Sequence, residues 1–320
     1  MNIIDKIKKK SPRILVVGDI MLDRFIFGTV ARISPEAPVP IVQCRKEKYT
    51  LGGCGNVFRN LINLGVQASI FSAVGKDRAG KLIIEKLKTI DKDYVEVSQF
   101  SKMQTTEKMR IVAEGQQAIR VDWDAIPLKK NDYNYLLNQI PNKMKNIDAV
   151  IISDYNKGLC SKEIVRFVIK NASVLKIPIF IDPKGINWKK YDGADLITPN
   201  KKEAETILGY RLNSDQDFEK ACLKLCSDFN IAACLITRGS DGMSYVGGKK
   251  KYHVKSEAKE IFDVSGAGDT VIAAFVAATI AGLNSKAATE FSNRAAGVVV
   301  GHIGTTPITD FELKNYFIKS

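Results

Sequence analysis

Short apolar runs alternate with amphipathic stretches along most of this 320-residue chain, and this alternation restricts the possible folds more than any other feature. The runs are rich in Val, Ile and Leu, and most end in Gly, Asp or Asn, which is typical of buried strands. They comprise residues 13–22, 68–75, 148–154, 177–182, 195–200 and 233–239. The stretches that predict helices are 56–64, 78–90, 161–175 and 202–209. This order predicts an α/β fold with a mostly parallel sheet flanked by helices.

Two segments, residues 24–50 and 104–122, break this pattern because their apolar and polar side chains alternate. Such alternation predicts half-exposed antiparallel strands. We expect one small β-sheet over an edge of a single domain spanning 1–320. A surface excursion without a role is the alternative, but a concentration of arginines favours a lid: Arg24, Arg32, Arg110 and Arg120. Exposed strand edges are usually covered, so we expect the lid to pair with a second subunit in a homodimer.

The composition argues against several classes of protein. A net charge of +13 suits phosphate-bearing ligands or nucleic acid, but the lysines are scattered without an arginine-rich stripe, so no nucleic-acid partner is expected. Six cysteines without a CxxC pair, and only two histidines, argue against a zinc site or a His-dependent triad. The chain begins without a signal-peptide pattern, and its longest apolar run, 271–283, is too short for a bilayer. These features predict a cytoplasmic protein with reduced thiols and no membrane partner.

Polar residues follow the predicted strands at their carboxyl ends, where ligands bind in parallel sheets. They are Asp19, Asp23, Asp154, Lys157, Asp182, Lys184, Asn200, Glu203, Thr237 and Gly239, with the glycine turn Gly52–Asn56. Taken singly, each is more often a turn residue or a helix cap. Together they would lie along one edge of one sheet, which indicates a binding site.

The sequence "DVSGAGD" at 263–269 precedes an apolar run, 271–278, that predicts a buried helix. Gly266, Ala267, Gly268 and Asp269 would lie at the N-terminus of that helix, where backbone N–H groups favour an anion. Asp269 acting only as a helix cap is the alternative interpretation. These residues alone leave both interpretations open.

With these motifs in hand, the chain resembles the ribokinase-like sugar kinases over nearly its whole length. The resemblance rests on "GGCGN" at 52–56 and "DVSGAGD" at 263–269, in the order and spacing of that family. Cys54 departs from the pattern, since a small Ala is common there. Four further stretches resemble the branch that phosphorylates D-glycero-D-manno-heptose 7-phosphate at C1 for ADP-heptose synthesis: "GDIMLDRFIFGTVARISPEAPVPIV", "RIVAEGQQAIRVD", "DPKG" and "TPNKKE".

The resemblance implies roles for the motif residues and two cofactors, ATP and Mg²⁺. Asp269 would accept a proton from the sugar hydroxyl, and the N–H groups of Gly266, Ala267 and Gly268 would stabilise the transferred phosphoryl group. The ATP-binding residues would be Asn200, Lys201, Lys202, Glu203, Thr237 and Gly239. Glu203 would act on Mg²⁺ through water. Some members bind a monovalent cation such as K⁺ through main-chain oxygens at the positions of Asp263 and Ser265.

The resemblance also implies a sugar-phosphate substrate. The sugar-binding residues would be Asp19, Asp23, Gly53, Asn56, Asp154 and Lys157. A phosphate already on the sugar needs a cation, and the candidates are Arg110, Arg120 and Lys184, which the sequence does not rank.

Three other interpretations stay open. The chain could be another sugar or nucleoside kinase of the same family, or a non-catalytic sugar-phosphate sensor, although a sensor would not need Asp269 and Glu203. A nicotinamide oxidoreductase is the weakest of the three, because its glycine motif would follow the first strand, whereas the motif of this chain lies at 263–269. Because the chain contains no H-x-G-H motif of a nucleotidyltransferase domain, and "GHIG" at 301–304 is not one, we expect it to act as a kinase only.

Overall fold

The computed structural model of the protein describes residues 3–91, 95–126, 128–258, 262–302, 304–309 and 312–313. In chain order its strands are β1 Arg13–Gly18, β2 Ile20–Ile33, β3 Pro40–Gly53, β4 Gln67–Gly75, β5 Val95–Phe100, β6 Glu107–Ala113, β7 Gln116–Trp123, β8 Ala149–Ser153, β9 Ile179–Asp182, β10 Leu196–Ile197, β11 Ala233–Thr237, β12 Met243–Gly247 and β13 Lys250–Val254. Its helices are α1 Ile3–Lys10, α2 Cys54–Asn63, α3 Arg78–Ile90, α4 Lys130–Lys143, α5 Lys162–Leu175, α6 Lys201–Leu208, α7 Asp215–Phe229, α8 Ala267–Ile280 and α9 Ser285–Val299.

The main sheet has nine strands in the order β13-β12-β11-β10-β9-β8-β1-β4-β5. All pairs from β5 across to β11 are parallel, while β11–β12 and β12–β13 are antiparallel. The predicted α/β fold with a mostly parallel sheet is therefore confirmed.

Side chains of the central strand β1 alternate between two buried cores, one on each face of the sheet. Ile14 and Val16 belong to the core that contains α1, α2 and α8, whereas Leu15 and Val17 belong to the core that contains α4, α5 and α7. This alternation follows from the two-residue period of a strand. Helix α8 is apolar on all sides, and every residue from Val271 to Ala278 is buried, as its sequence predicted.

A second, four-stranded sheet has the order β3-β2-β6-β7. Strands β2 and β3 pair in antiparallel fashion, β6 runs parallel to β2, and β7 returns antiparallel to β6. The two predicted excursions therefore join in one small sheet, whose strands also extend to Ile20 and Gly53 in the first excursion. Its role as a lid stays a prediction.

Two strand predictions were wrong in extent. The run 13–22 is not one strand, because β1 ends at Gly18 and β2 begins at Ile20 in the other sheet. The break lies at Asp19, whose carboxylate binds backbone N–H groups of a neighbouring loop. Of the run 195–200, only Leu196–Ile197 forms a strand. Four helices and three strands were not predicted, namely α1, α4, α7, α9, β5, β12 and β13.

All six cysteines are free thiols, and four of them are buried. Burial raises the pKa of the Cys54 and Cys160 thiols well above the usual value, which keeps them protonated and weakly reactive. Across the described part of the chain, no helix combines the length and hydrophobicity needed to cross a bilayer.

Candidate active site

Helix α8 begins directly after Gly266, whose φ is 82°. A Cβ at this position would lie 2.7 Å from Nδ2 of Asn56, so both the backbone conformation and the packing require glycine. The Ala267 N–H donates to the Val264 carbonyl at 3.2 Å. The N–H groups of Gly268 and Asp269 follow in the first helical turn, which leaves such groups without intrahelical partners and suits an anion.

The Asp269 carboxylate is 1% exposed and is held by two donors. The Tyr155 hydroxyl donates to Oδ1 at 2.8 Å, and Asn56 Nδ2 donates to Oδ2 at 2.9 Å. Burial raises the pKa of Asp269 from 3.8 to about 7, although both hydrogen bonds lower it. Sequence reasoning missed Tyr155, although it directly follows Asp154 at the carboxyl end of β8.

The Asn56 side chain is fully buried, and its Oδ1 has no hydrogen-bond partner among the described residues. An unpartnered buried acceptor costs on the order of 1–3 kcal/mol, so it is usually satisfied by water or by a ligand. Because the same amide donates to Asp269, a ligand hydroxyl bound to Oδ1 would lie beside the carboxylate. This geometry is compatible with the predicted contact between Asn56 and the sugar.

Asp19 holds the loop after β8. Its carboxylate accepts backbone N–H groups of Tyr155 at 2.9 Å, Lys157 at 3.0 Å and Leu159 at 2.8 Å. Gly53, with a φ of 59°, lies against it, and a Cβ there would be 2.3 Å from the Asp19 carbonyl oxygen. Asp19 and Gly53 therefore shape the loop after β8. Their predicted contacts with a sugar stay predictions.

Asp23 joins the small sheet to the rest of the site. Arg110 Nη1 donates to its Oδ1 at 2.6 Å, and Thr305 Oγ1 donates to its Oδ2 at 3.0 Å. All three side chains are buried or nearly so. Sequence reasoning missed Thr305, because it lies 282 residues from Asp23 in the chain.

One face of the small sheet carries cations. Arg110 is opposite Arg120, and Lys108 is opposite Asp122, so these side chains share a face. The Lys108 ammonium lies 5.9 Å from the centroid of the Tyr155 ring and has no ion pair within the described part of the chain. Burial lowers the pKa of Lys108; the charges of Asp23 and Asp122 raise it in part, and those of Lys157 and Arg110 lower it. Lys108 was not predicted.

In contrast to Lys108, three cations that the sequence did predict are already paired. Arg120 binds Asp122 at 2.9 Å, Lys157 pairs with Asp124, and Lys184 Nζ binds Glu203 Oε1 at 2.5 Å. Among the described residues, Lys108 therefore differs from these three side chains because it has no counterion.

The predicted sugar ligand Asp154 lies in a structural cluster. Its carboxylate is 0% exposed and binds Lys190, the Tyr191 hydroxyl at 2.7 Å and the Asn156 N–H at 2.7 Å. A buried carboxylate with a full set of partners stabilises the surrounding loops. The structure gives Asp154 a role in holding these loops, and its predicted contact with a sugar stays a prediction.

Asn200 and Glu203 form the capping box of α6. The Glu203 N–H donates to Asn200 Oδ1 at 2.9 Å, and the Asn200 N–H donates to Glu203 Oε2 at 2.9 Å. Asp182 lies near Glu203 and Asp269. Burial and the charges of Asp269 and Glu203 raise the pKa of Asp182 well above the usual value. Mutually repelling carboxylates of this kind suit a hard divalent cation such as Mg²⁺.

A cleft of about 350 Å³ lies next to the N-terminus of α8. Asn200, Thr237, Gly239, Ala267 and Gly268 line it, so predicted ATP-binding residues and the helix N-terminus meet there. Its apolar wall contains Val271, Ala296 and Val300. Its size lies within the range of small-ligand sites.

Lys201 and Lys202 are not among the residues that line this cleft. Lys201 Nζ lies 5.9 Å from the Phe218 ring centroid, and Lys202 is exposed. The Asp263 carboxylate accepts the N–H of Ser265 in its own loop at 2.8 Å and the N–H of Gly304, which lies after α9, at 3.0 Å. Any cation bound here would therefore depend on main-chain oxygens, as the resemblance implied.

Residues 11–311 match the sequence profile described as "pfkB family carbohydrate kinase". The chain belongs to this family. Membership in the pfkB family identifies it as a carbohydrate kinase, a phosphotransferase with an alcohol group as acceptor, and confirms the resemblance to ribokinase-like enzymes. The oxidoreductase alternative does not hold.

Two relatives carry the name "Bifunctional protein HldE". The one from Sulfurimonas denitrificans is 40% identical over 311 residues, which cover 97% of this chain and 65% of the relative. The one from Vibrio parahaemolyticus is 40% identical over 306 residues, which cover 95% of this chain and 63% of the relative. This pfkB family chain therefore spans less than two thirds of the length of these relatives.

Solved structures of other kinases share the fold. The tetrameric inhibited form of phosphofructokinase-2 from Escherichia coli superposes with a TM-score of 0.81 at 18% identity, covering 97% of this chain and 99% of that one. Ribokinase from Arabidopsis thaliana, complexed with ribose and ATP, gives 0.74 at 20% identity, covering 96% and 98%. At such identities the likeness confirms the ribokinase-like fold of this pfkB family chain and no more.

Proposed function

We propose that this chain transfers a phosphoryl group from ATP to the C1 hydroxyl of D-glycero-β-D-manno-heptose 7-phosphate, giving the 1,7-bisphosphate for ADP-heptose synthesis. The family supports a sugar kinase, and the HldE relatives support the heptose branch. The observation that carries the proposal is a buried carboxylate at a helix N-terminus, Asp269, held by Tyr155, over whose ring Lys108 lies without an ion pair among the described residues.

Asp269 acts as the base. The C1 hydroxyl donates to its carboxylate, and as the hydroxyl oxygen attacks phosphorus its proton passes to Asp269. A base with a pKa of about 7 suits proton transfer near neutral pH. The first-turn N–H groups of α8 stabilise the negative charge of the transferred group, and one such donor is typically worth ~3–4 kcal/mol.

ATP occupies the cleft lined by Asn200, Thr237 and Gly239, with its phosphates directed at Gly268. Asp182 and Glu203 would hold Mg²⁺, which would neutralise charge on the transferred phosphate. Their mutual repulsion supports this assignment, since a divalent cation relieves it. A K⁺ ion at the main-chain oxygens of Asp263 and Ser265 is a further proposal, since phosphofructokinase-2 has a structure in complex with potassium.

The 7-phosphate binds the cationic face of the small sheet, through Lys108 and Arg110. Lys108 has no counterion within the described residues, and the neighbouring positive charges that lower its pKa would be offset by a phosphate dianion. Arg110 already pairs with Asp23 and Lys184 with Glu203, so Lys108 is the principal candidate, and Arg110 is preferred to Lys184 only because it shares the face of Lys108. The phosphate is held at a distance from C1, so its binding energy positions the reacting hydroxyl.

The opposite face of the small sheet binds a second copy of the chain. By the alternation of its strands it carries Ile26, Met109, Ile111, Ile119 and Trp123, together with the ion-paired Arg24, Glu47 and Glu107. Ile119 and Trp123 are 53% and 39% exposed. Apolar residues gathered on one face mark an interaction surface.

Mg-ATP with a panel of sugars tests the proposal. The protein should prefer the heptose 7-phosphate, and phosphorus NMR of the product should show a new anomeric phosphate. Removing the 7-phosphate should lower kcat/KM more than tenfold, at ~1.5–3 kcal/mol for each charged hydrogen bond. Lys108→Met should cause a larger loss with the heptose 7-phosphate than with unphosphorylated heptose, where only its effect on the pKa of Asp269 is lost, while the exposed Lys102→Met serves as the control.

Equal turnover of ribose, fructose or adenosine would contradict the heptose assignment, as would a new phosphate on any carbon but C1. Binding of the sugar phosphate without release of ADP would favour the sensor.

A further inference from the structure

We propose that Tyr155 is a positioning residue for Asp269, and that its hydroxyl holds the carboxylate in the one orientation that receives the acceptor proton. The proposal rests on the role of Asp269 as the base, given above. It assigns a function to a side chain that no sequence motif singled out.

Two donors, one on each oxygen, fix the carboxylate. Tyr155 binds Oδ1 at 2.8 Å, and Asn56 binds Oδ2 at 2.9 Å. Rotation of the carboxylate would stretch both hydrogen bonds at once, so the pair defines its plane. A carboxylate oxygen has two lone-pair sites, so each oxygen can still accept a sugar hydroxyl.

Tyr155 is itself held from three sides. Its N–H donates to Asp19 Oδ2 at 2.9 Å, which fixes the backbone after β8. The Lys108 ammonium lies over its ring, and Gly53 leaves room for the ring edge, since a Cβ there would be 3.4 Å from Cδ2. The ring is half-buried between these groups, so its hydroxyl has little freedom to leave Asp269.

The charges around Asp269 come from several elements. Asn56 and the neutral thiol of Cys54 face it from α2, Asp23 from β2, Lys108 from β6 and Asp182 from β9. Asp23 and burial raise its pKa, whereas Lys108 and the two hydrogen bonds lower it. Removing the Tyr155 hydroxyl takes away a donor to the ionised form, so the pKa should rise above about 7.

Tyr155→Phe tests the proposal in the full chain. We expect the acidic limb of the pH profile of kcat/KM to move up by about one pH unit. Activity at pH 7 should fall at least about fivefold because less Asp269 is ionised, and part of the loss should persist at pH 9 because the carboxylate is less well oriented, with KM for ATP unchanged. Tyr133→Phe is the matched control, because its hydroxyl donates to the Gly158 carbonyl at 2.6 Å in the same loop without contacting Asp269. Its acidic limb should not move.

A second readout does not depend on the acceptor. Carbon-13 NMR of labelled Asp carboxyl groups, with the Asp269 signal assigned by its loss in Asp269→Asn, should give a higher pKa for Asp269 in Tyr155→Phe than in the wild type. An unchanged Asp269 titration, or full recovery of the wild-type rate at pH 9, would overturn the proposal. Inactivity of the wild type on the heptose would instead contradict the proposed substrate and leave this titration valid.

Discussion

At the scale of single residues, the site contains a buried charge that destabilises the folded protein. Asp269 is buried, and its ionised form, which the reaction needs, is less stable in the folded protein than in water. Asn56 adds a buried carbonyl oxygen without a partner among the described residues. Such local costs are common where activity and stability compete.

Asp269→Asn should remove turnover and stabilise the protein above neutral pH. Because burial raises the pKa of Asp269 from 3.8 to about 7, its contribution to stability is full at low pH and is lost as the pH rises through about 7. Asn carries no charge, so the gain in Tm over the wild type should grow between pH 5 and pH 8. Calorimetry across this range measures it.

The exposed Asp241→Asn is the control and should change Tm equally at all pH values. If Asp269→Asn kept more than about a tenth of the wild-type kcat, a loss under ~1.4 kcal/mol, Asp269 would not be the base.

At the scale of elements, the small sheet has two unlike faces: one carries Lys108 and Arg110, and the other exposes Ile119 and Trp123 on the edge strand β7. Ile119→Glu should therefore turn a dimer into a monomer without loss of fold, because it places a charge in the centre of the proposed contact. Light scattering across a dilution series measures the mass. Ile186→Glu, which changes an apolar side chain that is 79% exposed elsewhere, should leave the dimer intact. A wild type that is monomeric at micromolar concentration would contradict the dimer.

These elements could be predicted from the sequence only where the residues that determine them lie close together in the chain. Helix α8 and the motif before it were predicted because the apolar run and the glycines are contiguous. The end of β1 at Gly18 was not, because Asp19 is held by a loop about 140 residues away. Tyr155 and Thr305 were missed for the same reason, since each acquires its role from a partner distant in sequence.

At the scale of the whole molecule, the net charge of +13 should assist the binding of a phosphorylated sugar. Raising the salt concentration from about 0.05 to 0.5 M should raise KM for the sugar phosphate several-fold, because screening shortens the Debye length below ~10 Å. The value of kcat should change little. Unphosphorylated heptose provides the comparison, and an equal change in its KM would contradict an electrostatic origin.

The hydrogen bonds that complete the site join positions 213 residues apart, from Asn56 to Asp269, and 282 residues apart, from Asp23 to Thr305. During synthesis on a ribosome, the segment 304–309 emerges long after β2 and α2. Until then Asp23 lacks one of its donors, and Asn60 lacks the Ile308 N–H that it binds at 2.9 Å. A nascent chain that stops before residue 305 therefore contains the glycine motif of α8 but lacks the contacts of Thr305 with Asp23 and of Ile308 with Asn60.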